Sequence, residues 1–209
     1  MLTIITPFTG VYFISILISS TVRPFPYPSR PSLFRERAGT RSFTGSNRII
    51  NLFYPIMKES IFSFFNAPIT NQVPNGVVCV SQLYAYITTS EWLRERTDQV
   101  RAASSDEKRF RRLKQSLLPY VTPAGIFSYR KEDHLLVPSG EFVIDIDHLS
   151  SPEEAICWRD TLFADERLRP DLSFVSPSTT GIKLLVPYRL SIKKTVEESF
   201  DEAVRFAWE

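Results

Sequence analysis

Cysteine and histidine are scarce, with two of each in 209 residues, and neither shows metal-ligand spacing. A zinc-type cluster is therefore excluded. Cys79 and Cys157 stand alone in apolar surroundings and read as small buried hydrophobes of a protein kept in a reducing compartment. His134 sits among charged loop residues and reads as a surface side chain. His148 follows an acidic pair, but its side chain is expected on the opposite face from Asp147.

Long apolar runs are missing too. The stretch Val11 to Ile18 has no Lys or Arg before it, Pro7 and Gly10 break its approach, and no Ala-x-Ala site follows. A signal peptide is disfavoured, and the run falls short of the roughly 20 residues that span a bilayer. No membrane partner and a cytoplasmic location are expected.

Net charge is nearly absent at +2, but this hides an asymmetry. Residues 1–56 carry six Arg against Glu36, for +5, and the remaining 153 residues sum to −3. A mildly acidic body does not announce a nucleic-acid binder, so any such contact must use local basic groups.

What is present is enough apolar residue, 43%, for a sizeable core in one domain. Thr21 to Pro55 is rich in Arg, Ser and Pro and poor in acids, like a transit peptide or a disordered tail. Because composition changes at Met57, residues 1–56 are read as a disordered or non-native N-terminal extension from a misplaced start, and 57–209 as the folded domain.

Within 57–209 the patterns predict a strand over 59–65, a short strand over 77–80, and a helix capped by Ser81 and running to Thr89. Two helices follow, over 91–103 and 106–118. The second carries Lys108, Arg109, Arg111, Arg112 and Lys114, which read as a solvated face or as a weak electrostatic seat for a nucleic-acid backbone. Phe110, Leu113 and Leu117 form its apolar stripe. Loop and strand over 120–130, a turn at 131–134, and a returning strand over 135–137 lead into an acidic strand. Ser151 with Pro152 then starts a helix whose buried face is Ala155, Ile156, Trp158, Leu162 and Phe163. Strands at 172–175 and 182–188 and a helix over 196–208 complete the order.

The acidic strand is Glu141-Phe-Val-Ile-Asp-Ile-Asp-His-Leu-Ser150. Alternation sends Phe142, Ile144 and Ile146 to one face and Val143, Asp145 and Asp147 to the other. Two crowded carboxylates repel unless a cation sits between them or one is protonated. Oxygen ligands suit Mg²⁺ or Mn²⁺, which fill their shells with water and phosphate oxygens. The competing reading is that Asp147 or Ser150 simply caps the next helix.

A second constellation is Ser176-Pro-Ser-Thr-Thr-Gly-Ile-Lys183, a turn whose hydroxyls, Gly and Lys can donate to phosphate oxygens. Alternation places Lys183 away from the core, on the same open face as Asp145 and Asp147. A purely structural hairpin is the alternative.

The motif Val-Ile-Asp-Ile-Asp-His-Leu at 143–149, followed by Ser-Pro-Ser-x-x-Gly-x-Lys at 176–183, resembles the VirE N-terminal-like domains of the archaeo-eukaryotic primase (PrimPol) superfamily. Phe65-Asn-Ala-Pro-Ile-Thr-Asn71 and Thr122 to Arg130 look like that family's leading segments. The resemblance implies an α+β fold with an RRM- or ferredoxin-like split βαβ core and an N-terminal helical extension. It implies metal-dependent nucleotidyltransferase chemistry on nucleoside triphosphates and a single-stranded DNA template, in DNA replication proteins of bacterial mobile elements that carry a helicase domain or work with a replication protein.

Carried over by position, Asp145 and Asp147 would be catalytic metal ligands, and Ser176, Ser178, Thr180, Gly181, Lys183 and Arg130 would bind nucleotide phosphate. The wider superfamily has Ser-x-His in the second motif. Here Lys183 would supply the charge instead. The third motif, an acid on the last strand, has no counterpart, so the expectation is a domain lacking its last strand, truncated at its C-terminus and weak or inactive alone. Two rivals remain: a non-catalytic nucleic-acid-binding module, and a haloacid-dehalogenase-type phosphatase, which usually has Thr where this chain has Leu149.

Overall fold

The computed structural model describes residues 2–5, 14–15 and 59–208, with side chains over 59–207. The expectations for Thr21 to Pro55 lie outside the described residues. The described residues belong to one compact unit.

Chain order follows the local chemistry closely. Strands β1 (Leu2–Ile5) and β2 (Ile14–Ser15) come first, then β3 (Ile61–Phe65) and β4 (Gly76–Cys79). Three helices follow: α1 (Val80–Thr89), α2 (Glu91–Arg101) and α3 (Glu107–Leu117). Ser90 accepts from the Leu93 N–H and Asp106 from the Arg109 N–H, so each cap satisfies a donor at its helix start. Ser81 does not cap α1. The helix begins one residue earlier, Gln82 accepts from the Cys79 N–H, and the Ser81 N–H bonds the Glu59 carboxylate instead.

Next come β5 (Tyr120–Thr122), β6 (Gly125–Phe127), a 3₁₀ turn at Glu132–His134, β7 (Leu135–Pro138) and β8 (Glu141–Ile146). Helix α4 (Pro152–Phe163) starts on the Ser151 cap, and β9 (Leu172–Val175), β10 (Ile182–Pro187) and α5 (Val196–Trp208) close the order. No helix among the described residues is long and apolar enough to cross a membrane.

The fold is α+β. One sheet has the order β1-β8-β10-β9, another β2-β5-β3-β4, and β6 and β7 form a separate pair. Strand β10 is antiparallel to both β8 and β9. Strands β8 and β9, joined through α4, are therefore parallel with β10 between them, which is the split β-α-β connection.

The free edge of β8 differs from expectation. Leu2–Ile5 lies antiparallel along it, with Thr3 opposite Asp145. Strand β2 likewise pairs β5. Two strands of the folded unit thus precede Met57, because an apolar strand-forming run anywhere in the chain can satisfy an open ladder.

Each face of the β8-β10-β9 sheet is covered. Phe142, Ile144, Val175, Ile182, Leu184 and Val186 pack with Ala155 of α4 and Phe200 of α5. On the other side, Val143, Leu172, Phe174 and Leu185 join Phe62, Leu83, Leu93, Val100, Leu118 and Val121. This second layer corrects the expectation of an open face, since Lys183 is only 6% exposed. The buried face expected for α4 is narrower than its apolar residues suggest: Trp158 is 44% and Phe163 36% exposed. Cys157 is exposed as well, against the reading of a buried thiol.

Candidate metal and phosphate site

Alternation along β8 and its register with β10 create the centre of the site. Asp145 is directly opposite Lys183 across the ladder. Both share the face of Val143 and Leu185, which is packed under the N-terminal helical layer. The Lys183 ammonium donates to Asp145 Oδ2 in an ion pair whose side chains are 8% and 12% exposed. The other oxygen, Asp145 Oδ1, is buried and has no hydrogen-bond partner.

Burial is the largest influence on Asp145 and pushes its carboxyl above the usual range. The Lys183 charge and hydrogen bond pull it back, the Asp147 charge adds to the rise, and Lys114 opposes it. Asp147 lies just past the end of β8 and is exposed. His148 follows with φ of 62°, a left-handed conformation that turns the chain away from the strand line.

The hydroxyl-rich turn closes on this end of β8. The Ser176 N–H donates to Gly181 O at 2.7 Å, and the Thr179 N–H donates to Ser176 O at 3.0 Å. Leu149 N–H donates to Thr180 O at 2.8 Å, tying the turn to the segment beyond the acids. Ser176 and Ser178 hydroxyls bond each other at 2.7 Å. A methyl group on Gly181 would stand 2.5 Å from Asp147 Oδ1 and 2.9 Å from Ser176 Oγ. Any side chain there would displace its neighbours, so Asp147, Ser176 and Gly181 are in close contact.

Two further cations attend the site. Lys114 of α3 is half-buried. Its ammonium is lowered from the usual lysine range, first by burial and then by Lys183, while Asp147 and Asp145 counteract this. Arg101 at the end of α2 donates from Nε to Pro177 O at 3.3 Å, while its buried Nη2 has no partner. Sequence reasoning counted Lys114 with the solvated cluster and passed over Arg101. The available clue was spacing: Lys114 is four residues after Phe110 and next to Leu113, at the border of the apolar stripe.

The structure does not bring every expected residue to this place. Lys108, Arg109, Arg111 and Arg112 are exposed on α3, with Arg111 paired to Glu107. Arg130 is committed elsewhere: its guanidinium bonds Ile69 O and the Tyr120 hydroxyl and lies over the Tyr120 ring at 5.4 Å. There it clamps the loop after β3.

Among the described residues, no three His, Cys, Asp or Glu side chains gather as a metal cluster. Two carboxylates suffice for a hard dication that keeps water and phosphate oxygens in its shell. Asp145 Oδ1, buried without a donor, fits such an ion, because an orphaned buried anionic oxygen is costly.

Neither a curated protein nor a solved structure matches the chain. Residues 112–209 match the family described as BT4734-like, N-terminal domain. The matched stretch includes Lys114, the acidic strand and the turn through Lys183, while Arg101 and strands β3 and β4 lie before it. This chain is thus similar to that family across a little under half of its length, the part that holds most of the site.

Proposed function

We propose that this domain is a primase-like nucleotidyltransferase module, in which Asp145 and Asp147 hold Mg²⁺ or Mn²⁺ and the Ser176–Gly181 turn receives the phosphates of a nucleoside triphosphate. The observation that carries the reading is the buried, unpartnered Asp145 Oδ1 beside Asp147 and a hydroxyl-lined turn. The resemblance of the two motifs to PrimPol domains supports it. Held by Asp145 and Asp147, such a metal would supply Lewis-acid stabilisation of phosphate charge and would favour ionisation of an attacking hydroxyl.

The chain's own residues have separable tasks. Ser176 and Ser178 orient donors at the turn, and Gly181 lets the backbone approach the acids. Arg101 anchors the turn through Pro177 O, and Lys114 offsets carboxylate charge. The exposed basic groups of α3 provide a seat for a single-stranded DNA template, and a helicase domain or replication protein would deliver it. Two unpaired thiols agree with a cytoplasmic setting.

Paramagnetic resonance of Mn²⁺ titrated into the protein tests the site. The parent should bind Mn²⁺ and, with it, a nucleoside triphosphate. The Asp145→Asn, Asp147→Asn double variant should lose both, and unchanged affinity in that variant would falsify the site. A second reading, a nucleic-acid-binding module without chemistry, is favoured by the Lys183–Asp145 pair, which already provides a counter-charge. It predicts single-stranded DNA binding that survives EDTA and no nucleotide incorporation.

A further inference from the structure

Lys183 is placed where a metal would have to compete with it. Its ammonium is bonded to Asp145 Oδ2, with only 6% of the residue exposed. The oxygen left on the same carboxylate is buried and unpartnered. Asp145 and Asp147 face two lysines, Lys183 and Lys114, and Arg101 stands at the adjoining turn, so local cations already balance both carboxylates. Adding a dication to that balance leaves two positive charges uncompensated in a poorly solvated place, and an ammonium on the same carboxylate is repelled directly. Balance returns if an ammonium withdraws to water and a polyanion arrives.

We propose that Lys183 is an internal counter-cation that holds Asp145 until a divalent metal displaces it, and that the released ammonium then serves the phosphate turn. The inference rests on the reading of Asp145 and Asp147 as metal ligands. Lys183 is two residues beyond Gly181, on the strand leaving the turn, and its four-carbon stem can redirect the charge without moving the backbone. Metal and polyphosphate then bind with mutual help: the metal frees the lysine, and the polyphosphate supplies the missing negative charge. Without metal, the pair keeps the buried acid satisfied and the phosphate site disarmed.

Lysine acetylation of the full chain, read by mass spectrometry with and without saturating Mn²⁺, tests this. Exposed Lys193 is the internal control. If the inference holds, Lys183 is protected without metal and its labelling rises severalfold with Mn²⁺, while Lys193 labelling is constant. Mn²⁺ that binds by paramagnetic resonance yet leaves Lys183 protected overturns the displacement and spares the metal site. Failure to bind Mn²⁺ at all overturns both. Lys183→Met, which keeps the stem and loses the charge, should bind Mn²⁺ alone more tightly than the parent. Equal or weaker binding counts against the inference, and if that variant does not fold, labelling of the parent decides.

Discussion

At opposite ends of β8, two carboxyl groups are buried under different terms. Asp145 has an ammonium partner, and removing one member of such a buried pair typically costs about 3–5 kcal/mol. Glu141 is 2% exposed, and neither of its oxygens has a hydrogen bond of good geometry. Burial, then the charge of Asp171, pushes its carboxyl from 4.5 up to about 9. The folded state therefore holds the Glu141 proton across a range where the unfolded chain has released it. This stability is full below the unfolded value and is lost as pH rises towards 9. Asp145 is shifted in the same direction and adds to the trend. Glu141→Gln should therefore raise the melting temperature at pH 8 and flatten the loss of stability between pH 6 and 9, by on the order of a few kcal/mol. Thermal melts of parent and variant across that range check it, and parallel curves would refute it. Neither group's state was legible in the sequence. Glu141 read as the first residue of a strand, and the groups that act on its carboxyl, Asp171 and Ser60, are distant from it in sequence.

Element boundaries were far more legible, because caps and alternation are local. Ser151, read as a helix start, accepts from the third residue on, as Ser90 and Asp106 do unread, whereas Ser81, read as a cap, lies inside α1. Period-two patterning set the Asp145 face correctly, and it paired Lys183 with that face. What patterning could not tell is whether a face is covered, since that depends on elements distant in sequence. Trp158 and Phe163 show the converse failure: apolar residues of α4 that stay exposed. The Ser176–Gly181 turn is the element on which the site depends most. Gly181→Ala would press a methyl against Asp147 Oδ1, Ser176 Oγ and Ile146 O, the last at 3.0 Å. The exposed Asp147 carboxylate can swing away, but the Ile146 backbone oxygen yields less easily. A destabilisation of about 1–3 kcal/mol is expected, with weaker Mn²⁺ binding because Asp147 is pushed aside. Denaturant titration and Mn²⁺ affinity measured together check this, and a variant matching the parent in both would remove the turn from the site.

On the scale of the molecule, the sheet that carries the site has its acid-bearing strand inside rather than at an edge. With β1 on one side and β10 on the other, β8 uses the hydrogen-bonding groups of both edges. The composition break at Met57 suggested a folded unit that begins there, and a break in charge and proline content is a fair guide to where packing starts. It does not exclude a short apolar segment upstream that returns to complete a ladder, as Leu2–Ile5 does opposite Val143–Ile146. Removing residues 1–56 therefore does more than shorten the chain. It uncovers one edge of β8 beside Asp145, and it strips β2 from β5 in the second sheet. An uncovered edge presents unpaired N–H and C=O groups to any other strand, including the same edge of a second copy. A chain started at Met57 should melt several degrees below the full chain and associate as concentration rises. A synthetic peptide of residues 1–15 added in trans should reverse part of the association by reoccupying the edges. Sedimentation and thermal melts of the two chains decide the matter: equal melting and a monomeric shortened chain would mean that the β8 edge needs no partner.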